Sequence, residues 1–170
     1  MSNLNKNLTM RAKVLDVFNE LGIEYELIEH PPLFTCADDK KYRISYNGTV
    51  FKNLFLRNKK KTKYYLVSLP VDKRADLKAI GEKLNDKNLS FGSDEALLEK
   101  LNITTGAVSI LNIIGVENTD VKFIIDETAL KCDRVGFHPN DNTATLMFKP
   151  SEIEKIMNKY NADFEFANID

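Results

Sequence analysis

The stretch VFKNLFLRNKKKTKYYLV, residues 50–67, contains two apolar runs joined by a short lysine-rich segment. Both runs have the pattern of β-strands, and the joining segment NKKKT at 58–62 is short and polar, as a turn between paired strands requires. The stretch therefore predicts a β-hairpin whose strands cover residues 50–57 and 63–69.

One residue of the first strand does not fit its surroundings. Side chains in a strand alternate between the two faces of the sheet, so Lys52 shares a face with the aliphatic residues Val50, Leu54 and Leu56. A lysine on such a face can place a positive charge over a pocket, where it would hold a phosphate or a developing oxyanion. The alternative is that the stem of Lys52 packs against its neighbours while the ammonium reaches water.

The rest of the chain mixes helical and strand-like patterns without a repeating βαβ order. Apolar residues at helical spacing predict a helix over 9–21, with Thr9 as its cap and Gly22 as its end. Thr35 is placed to cap a second, short helix. Other segments predict helices at 74–84, 93–101 and 150–157 and strands at 23–29, 106–114, 121–126 and 142–148. This mixture predicts an α+β fold.

The composition is that of an ordinary globular protein. The chain has 170 residues, of which 43% are hydrophobic and 29% are charged, and we expect residues 1–170 to form one domain. The formal net charge of -1 excludes a chain-wide basic field, so any contact with nucleic acid has to come from a local patch. The apolar runs are too short to cross a bilayer, and Met1–Thr9 lacks the apolar core of a signal peptide. We therefore expect a cytoplasmic protein without a membrane partner.

No sequence motif points to a metal or a cofactor, and we expect neither. Cys36 and Cys132 are far apart, with no CxxC motif and no Cys/His cluster, so two reduced thiols are a better interpretation than a disulfide or a zinc site. The sequence also lacks the motifs GxSxG, HExxH and GxGxxG and the Walker loop.

The turn of the predicted hairpin has two interpretations. Lys59, Lys60 and Lys61 continue a basic run that starts at Lys52 and contains no acidic residue. Such a turn is either a solvated tip that discourages edge-to-edge pairing or a patch that contacts a phosphate backbone. Composition alone leaves both interpretations open.

Two further segments combine polar groups with bends. TTGAVS at 104–109 places Gly106 before an apolar run, where a bend can present backbone N–H groups to an anion or simply turn the chain. GFHPNDNTATL at 136–146 places His138 beside a cluster of turn-forming residues. These polar groups are suited to hydrogen-bonding a ligand, and equally to satisfying the backbone of their own turn.

Several of these segments together resemble a known family. The segments IEYELIEHPPLFT, FKNLFLRNKKKTKYYLV, TTGAVSILNI, VKFIID and FHPNDNTATLMFKP occur in the order found in YbaK-like aminoacyl-tRNA editing domains. The resemblance covers roughly residues 9–160. It is strongest to the freestanding Ala-tRNA(Pro) deacylases of the prolyl-tRNA synthetase insertion-domain type, including members encoded near proline reductase.

The resemblance implies a mixed, partly barrelled β-sheet flanked by helices. It also implies a metal-free hydrolysis of the ester that joins an amino acid to the 3′ end of tRNA, with Lys52 as the catalytic residue. The substrate-binding residues it implies are Thr35, Asn53, Gly106, Ala107, Val108, Ser109, His138, Asn142 and Thr143. The lysines at 59–61 would then contact the tRNA backbone, and prolyl-tRNA synthetase becomes a candidate partner beside tRNA.

The implied chemistry explains a lysine on an apolar face. The ammonium of Lys52 would anchor the terminal phosphate and complement the oxyanion that forms when water attacks the ester, and N–H groups near Gly106 would add oxyanion contacts. Because no base is evident, the ribose hydroxyl of the substrate is expected to activate or orient the water. Alanine is favoured as the amino acid because a small pocket excludes proline by size.

One position departs from the family pattern. Relatives commonly carry a proline at the end of the glycine loop, in a pattern like GxxxP, and this chain has Ile110 there. The change removes a backbone constraint from the loop that gauges the amino acid. Two alternatives therefore stand beside an Ala-tRNA(Pro) deacylase: a non-catalytic module that binds aminoacyl-tRNA or senses an amino acid, and a deacylase for another species such as Cys-tRNA(Pro).

Overall fold

A computed structural model describes residues 3–35 and 37–169 of the chain. Its α-helices are α1 (Asn3–Glu20), α2 (Asp38–Lys41), α3 (Leu77–Lys83), α4 (Asp94–Leu101) and α5 (Glu152–Lys159). Two 3₁₀ helices cover Ile110–Gly115 and Glu127–Lys131. The strands are β1 (Tyr25–Glu29), β2 (Thr49–Arg57), β3 (Tyr64–Pro70), β4 (Ser90–Phe91), β5 (Lys122–Asp126), β6 (Val135–Phe137), β7 (Ala144–Phe148) and β8 (Phe164–Ala167).

The strands of the described residues form one mixed sheet. Its order is β1-β7-β6-β2-β3-β5-β8, and β4 pairs with β2 beside this path. The hairpin of β2 and β3 is antiparallel, with Lys52 opposite Leu69, whereas β2 with β6 and β3 with β5 are parallel pairs. The predicted hairpin and the mixed sheet flanked by helices are confirmed. Within the two described ranges the sheet is not a closed barrel, because β1 and β8 are its ends.

The second edge of β2 has two short partners that leave its middle unpaired. β6 pairs with Thr49 and Val50, and β4 pairs with Leu56 and Arg57. The residues between these pairs, 51–55, have no strand partner on that edge in the part of the chain that the structure describes. This gap positions the candidate site.

The two faces of β2 contact different apolar clusters. Phe51 and Phe55 belong to the larger cluster, which also contains the buried side chains of α1, α4 and α5. Leu56 belongs to a smaller cluster built largely on β3 and α3, and Leu54 packs against it. Lys52 therefore lies on the same face as these two leucines, as the alternation predicts.

The strand predicted over 106–114 is wrong. This segment is a loop that leads into the 3₁₀ helix Ile110–Gly115. The hydroxyl of Ser109 accepts a hydrogen bond from the N–H of Leu111 at 3.1 Å, and Oδ1 of Asn112 accepts one from the N–H of Ser109 at 2.8 Å. This capping box outweighs the strand preference of the neighbouring isoleucines.

Two predicted helix caps are also wrong. α1 begins at Asn3, so Thr9 lies within the helix. α2 follows Ala37, which provides no side-chain cap. Thr35 instead donates its backbone N–H to Oδ2 of Asp38 at 2.9 Å, so this contact joins the segment before the helix to a carboxylate in its first turn.

The structure also bears on the cysteine residues and on whether any helix could span a membrane. Cys36 lies outside the described residues, and the thiol of Cys132 donates to the carbonyl of Thr128 at 3.2 Å. No helix found in residues 3–35 and 37–169 is long and apolar enough to cross a bilayer.

Candidate active site

A cavity of about 440 Å³ lies beside the unpaired middle of β2. Apolar side chains form more than half of its lining, and its polar side chains are Thr35, Asp39, Tyr46, Lys52, Asn53, Asp94, Thr105 and His138. A mostly apolar cavity with a few convergent polar groups is typical of a small-ligand site. The structure thus brings Lys52, Asn53, Thr35 and His138 together with the loop at 104–109.

The backbone of β2 also faces this cavity. The carbonyl of Val50 accepts a hydrogen bond from the N–H of Val71 at 3.1 Å, which sets the alternation of the antiparallel ladder. The backbone groups of even-numbered residues in β2 therefore bond to β3, and those of odd-numbered residues point to the other edge. There the carbonyl of Phe55 accepts a hydrogen bond of 2.9 Å from the N–H of Gly92, which follows β4. Phe51 and Asn53 consequently present backbone groups to the cavity.

Lys52 is half-buried on the wall of the cavity. Its ammonium donates to the carbonyl of Val71 at 3.3 Å, and no carboxylate among the described residues is within ion-pair distance. An ammonium has three donors, so a ligand could bind the remaining two. The side chain of the adjacent Asn53 is fixed by β3, because its Oδ1 accepts a hydrogen bond of 2.8 Å from the buried hydroxyl of Ser68.

The loop at 104–109 closes another side of the cavity. Gly106 has a φ of 97°, a conformation that residues with a Cβ rarely adopt. Gly106 and Val108 line the cavity, and their backbone N–H groups donate to no acceptor in the described ranges. Ala107 and Ser109 are buried behind them, so their side chains do not reach the cavity.

Asn112 joins this loop to the segment that contains His138. Its side chain is fully buried, and its Nδ2 donates to the carbonyl of Ala107 at 3.1 Å and to Oδ1 of Asn140 at 2.7 Å. Asn140 has a left-handed φ of 59°, which asparagine tolerates better than most residues. The sequence reasoning missed Asn112, although an amide inside the apolar run ILNII signals a buried hydrogen-bonding role.

His138 lines the cavity with a defined tautomer. Its Nδ1 lies 2.9 Å from the carbonyl of Ala144, and because a carbonyl only accepts, Nδ1 carries the proton and Nε2 is free to accept. Burial lowers the pKa of His138, while the bond to Ala144 opposes the shift. The imidazole is therefore neutral near neutral pH.

Asn142 and Thr143 support the cavity without lining it. Nδ2 of Asn142 donates to the carbonyl of Leu33 at 3.3 Å and lies directly behind Gly106. The hydroxyl of Thr143 donates to Oδ1 of Asp141 at 2.8 Å. Both side chains thus hold neighbouring segments in place.

The segment around α2 and the strand β4 add residues that the sequence reasoning did not single out. Phe34 and Phe91 line the cavity and yet are 72% and 59% exposed, so their rings lie at its mouth. Deeper in, the hydroxyl of Tyr46 donates to Oδ1 of Asp39 at 2.7 Å. No motif or spacing in the sequence connects these residues with Lys52.

The lysine turn, Lys59 to Lys61, lies away from the cavity. Its residues are exposed, and Oδ1 of the buried Asn58 accepts two backbone N–H groups across the turn, at 2.9 and 3.1 Å. At the usual rise of a strand, the turn is about 23 Å from Lys52. The structure therefore does not place these lysines with the other predicted site residues.

The described residues contain no group of three His, Cys, Asp or Glu side chains that could hold a metal ion. The acidic side chains of the cavity are instead held by hydroxyl groups. Asp94 accepts a hydrogen bond of 2.7 Å from the hydroxyl of Thr105, as Asp39 does from Tyr46.

Comparison with known proteins identifies the family. The family model described as aminoacyl-tRNA editing domain matches residues 30–156. The chain is 34% identical over 163 residues to the prolyl-tRNA editing protein ProX of Acetoanaerobium sticklandii, a match that covers 96% of this chain and 99% of that protein. It is also 34% identical over 147 residues to the prolyl-tRNA synthetase associated domain-containing protein 1 of Mus musculus, covering 84% of this chain and 86% of that protein.

A solved structure shows the same fold at lower identity. It is described as a candidate trans-editing enzyme for prolyl-tRNA synthetase, and it matches with a TM-score of 0.67 and 19% identity over 92% of this chain and 95% of that one. The matched residues 30–156 contain Lys52, the loop at 104–109 and His138. The chain therefore belongs to the aminoacyl-tRNA editing domain family.

Proposed function

We propose that the protein hydrolyses the ester of mischarged aminoacyl-tRNA, with Ala-tRNA(Pro) as its preferred substrate. The observation that carries this proposal is the position of Lys52, which lines the cavity and whose ammonium has no carboxylate partner among the described residues. Family membership supports the reaction class. The substrate, a cytoplasmic location and an association with prolyl-tRNA synthetase are parts of the proposal, and the names of the relatives support its connection with prolyl-tRNA and prolyl-tRNA synthetase.

In this proposal, Lys52 supplies the electrostatic stabilisation. Its ammonium binds the terminal phosphate and complements the oxyanion that forms when water attacks the ester carbonyl. The N–H groups of Gly106 and Val108 are the additional oxyanion donors, and one such donor is typically worth about 3 kcal/mol. Their freedom from protein acceptors in the described ranges supports this role.

We assign His138 the role of hydrogen-bond acceptor. Its unprotonated Nε2 accepts a bond from the ribose hydroxyl next to the ester, and that hydroxyl orients the attacking water. The water oxygen bonds to the carbonyl carbon, and the bond from that carbon to the ribose oxygen breaks. The ribose oxygen takes one proton of the attacking water. The products are a free amino acid and uncharged tRNA.

The remaining features fit the 3′ end of tRNA. The exposed rings of Phe34 and Phe91 offer stacking surfaces for unpaired bases at the mouth of the cavity. Ala107, Ser109, Asn142 and Thr143 act indirectly, by fixing the loop and the segment around His138. The lysine turn contacts phosphates further from the ester.

The alternative of a non-catalytic module rests on Ile110. Ser109 has φ of -161° and ψ of 155°, which is the extended conformation that a following proline would require. The loop thus keeps a proline-compatible backbone although the proline is missing. This geometry favours a catalytic protein over the binding module.

The test is deacylation of Ala-, Cys-, Ser- and Pro-tRNA(Pro) by the wild type and by Lys52→Ala. We expect turnover of Ala-tRNA(Pro) above the others, and loss of about 100-fold or more in the variant, in line with removal of one oxyanion-stabilising group. The thermal melting curve checks that the variant is folded. Turnover of Cys-tRNA(Pro) alone would replace Ala-tRNA(Pro) as the assigned substrate. Binding without turnover of any species would favour the regulatory module.

A further inference from the structure

The cavity holds a carboxylate whose second oxygen has no protein partner. Asp39 is half-buried on the cavity wall, and its Oδ1 accepts the hydrogen bond from Tyr46 at 2.7 Å. Its Oδ2 forms no hydrogen bond or ion pair with any residue of the described ranges. A carboxylate in a mostly apolar cavity loses hydration, a cost that a bound cation offsets.

Tyr46 fixes the orientation of Asp39 through this hydrogen bond. Burial raises the pKa of Tyr46, and the hydrogen bond to Asp39 raises it further, while a contact with Thr145 opposes the shift. The phenol is therefore protonated at neutral pH and donates its hydrogen to Oδ1 of Asp39. Behind it, the hydroxyl of Thr145 is 2.8 Å from Nε2 of His30, so the donor is held in a connected polar network.

The other acidic residue of the cavity has a different environment. Asp94 is exposed at the rim and is the first residue of α4, where the free N–H groups of the helix favour a negative charge. Its Oδ1 is bonded to Thr105. Asp94 is thus a second carboxylate of the cavity that also accepts a hydroxyl hydrogen bond, but it lies exposed at the rim, which makes it a matched control.

We propose that Asp39 binds the α-ammonium group of the aminoacyl ester and that Tyr46 is its positioning residue. This inference rests on the proposed function, because every aminoacyl ester carries an ammonium next to the reacting carbonyl. Lys52 is the only lysine or arginine among the described residues that line the cavity. The cavity then matches both charges of the substrate, with Lys52 toward phosphate and oxyanion and Asp39 toward the ammonium.

The test compares an aminoacyl ester with its uncharged isostere. Lactyl-tRNA(Pro) has a hydroxyl in place of the ammonium of Ala-tRNA(Pro) and the same number of heavy atoms. A hydrogen bond to a charged group is worth enough that we expect the wild type to prefer the alanyl ester by about 10- to 100-fold in kcat/KM. Asp39→Asn should lower kcat/KM for the alanyl ester by a similar factor and reduce the preference to the ratio of the uncatalysed hydrolysis rates of the two esters.

Two further variants and a folding check complete the test. Asp94→Asn should retain the preference of the wild type, and Tyr46→Phe should reduce it without abolishing it, because the carboxylate remains but is no longer oriented. Melting temperatures close to that of the wild type show that the variants are folded. The ratio between the two esters is measured within each variant, so a general loss of activity does not affect it.

The outcomes separate the two proposals. Equal hydrolysis of both esters by the wild type, or an unchanged preference in Asp39→Asn, would overturn the role of Asp39 and leave the deacylase intact. Hydrolysis of neither ester, nor of any member of the four-member panel, by the wild type would overturn the deacylase and this inference with it.

Discussion

Gly106 is a position where the chain requires the absence of a side chain for two separate reasons. Its φ of 97° is unfavourable for other residues. A Cβ there would lie 3.2 Å from Nδ2 of Asn142, which supports the loop, and 3.5 Å from the ring of Phe34, which lines the cavity. A single residue therefore determines how closely the loop approaches the substrate.

We expect Gly106→Ala to lose both stability and activity. The left-handed conformation alone costs a residue with a Cβ about 1–2 kcal/mol, which urea denaturation measures as a lower midpoint at an unchanged slope. Deacylation should fall as well, because relief of the strain turns the N–H groups away from the cavity.

The control for this prediction is Gly22→Ala. Gly22 has a φ of 68° and open space around the added Cβ, and it follows the end of α1. The control should lose a similar amount of stability and keep its activity. Wild-type turnover by Gly106→Ala would contradict the assignment of the loop.

At the scale of elements, α1 holds the segment that follows His138. Arg11 donates from Nε to Oδ2 of Asp141 at 2.8 Å and from Nη2 to the hydroxyl of Thr143 at 2.6 Å. A third bond, of 2.7 Å, joins Nη1 to Glu29. Because Asp141 is 1% exposed, the helix and this loop are joined through a buried charge.

Arg11→Met should destabilise the protein by about 3 kcal/mol, since removing one partner of a buried ion pair leaves the other charge uncompensated. Chemical denaturation provides the measurement. Adding Asp141→Asn to this variant should recover part of the loss, because the uncompensated charge is then removed.

Glu29→Gln is the matched control for the surface branch of the same network. The side chain of Glu29 is 71% exposed, so its loss should cost less than about 1 kcal/mol. Equal losses for Arg11→Met and Glu29→Gln would show that the network stabilises the protein only at its surface.

At the scale of the whole molecule, the charges are nearly balanced, with a net charge of -1, while the lysine turn concentrates positive charge at one tip. Attraction to tRNA therefore depends on where the lysines lie and not on their total number. The turn projects from the hairpin that also carries Lys52, at a distance of about 23 Å, so the turn and the cavity are suited to contact different parts of one tRNA.

Replacing Lys59, Lys60 and Lys61 by alanine should weaken tRNA binding. The plot of log affinity against log salt concentration should become shallower by about one for each lysine that contacts a phosphate. Binding titrations at several salt concentrations measure both effects.

The control for the turn replaces three other exposed lysines, Lys78, Lys87 and Lys131, and changes the net charge equally. An identical decrease in affinity for both triple variants would show a general charge effect, and no decrease in the turn variant would mark the turn as a solvated tip.

The sequence by itself determined the hairpin, the face on which Lys52 lies, and the family. These features depend on the alternation of neighbouring residues and on the order of segments along the chain, and both can be read from the sequence alone. Only the tertiary structure decided that β6 and β4 leave the middle of β2 open, and that Asp39 and Tyr46 face the resulting cavity with Lys52. It also decided that 106–114 is not a strand. Such features arise from hydrogen bonds between distant segments, for example from Asn112 to Asn140, and local periodicity carries no information about them.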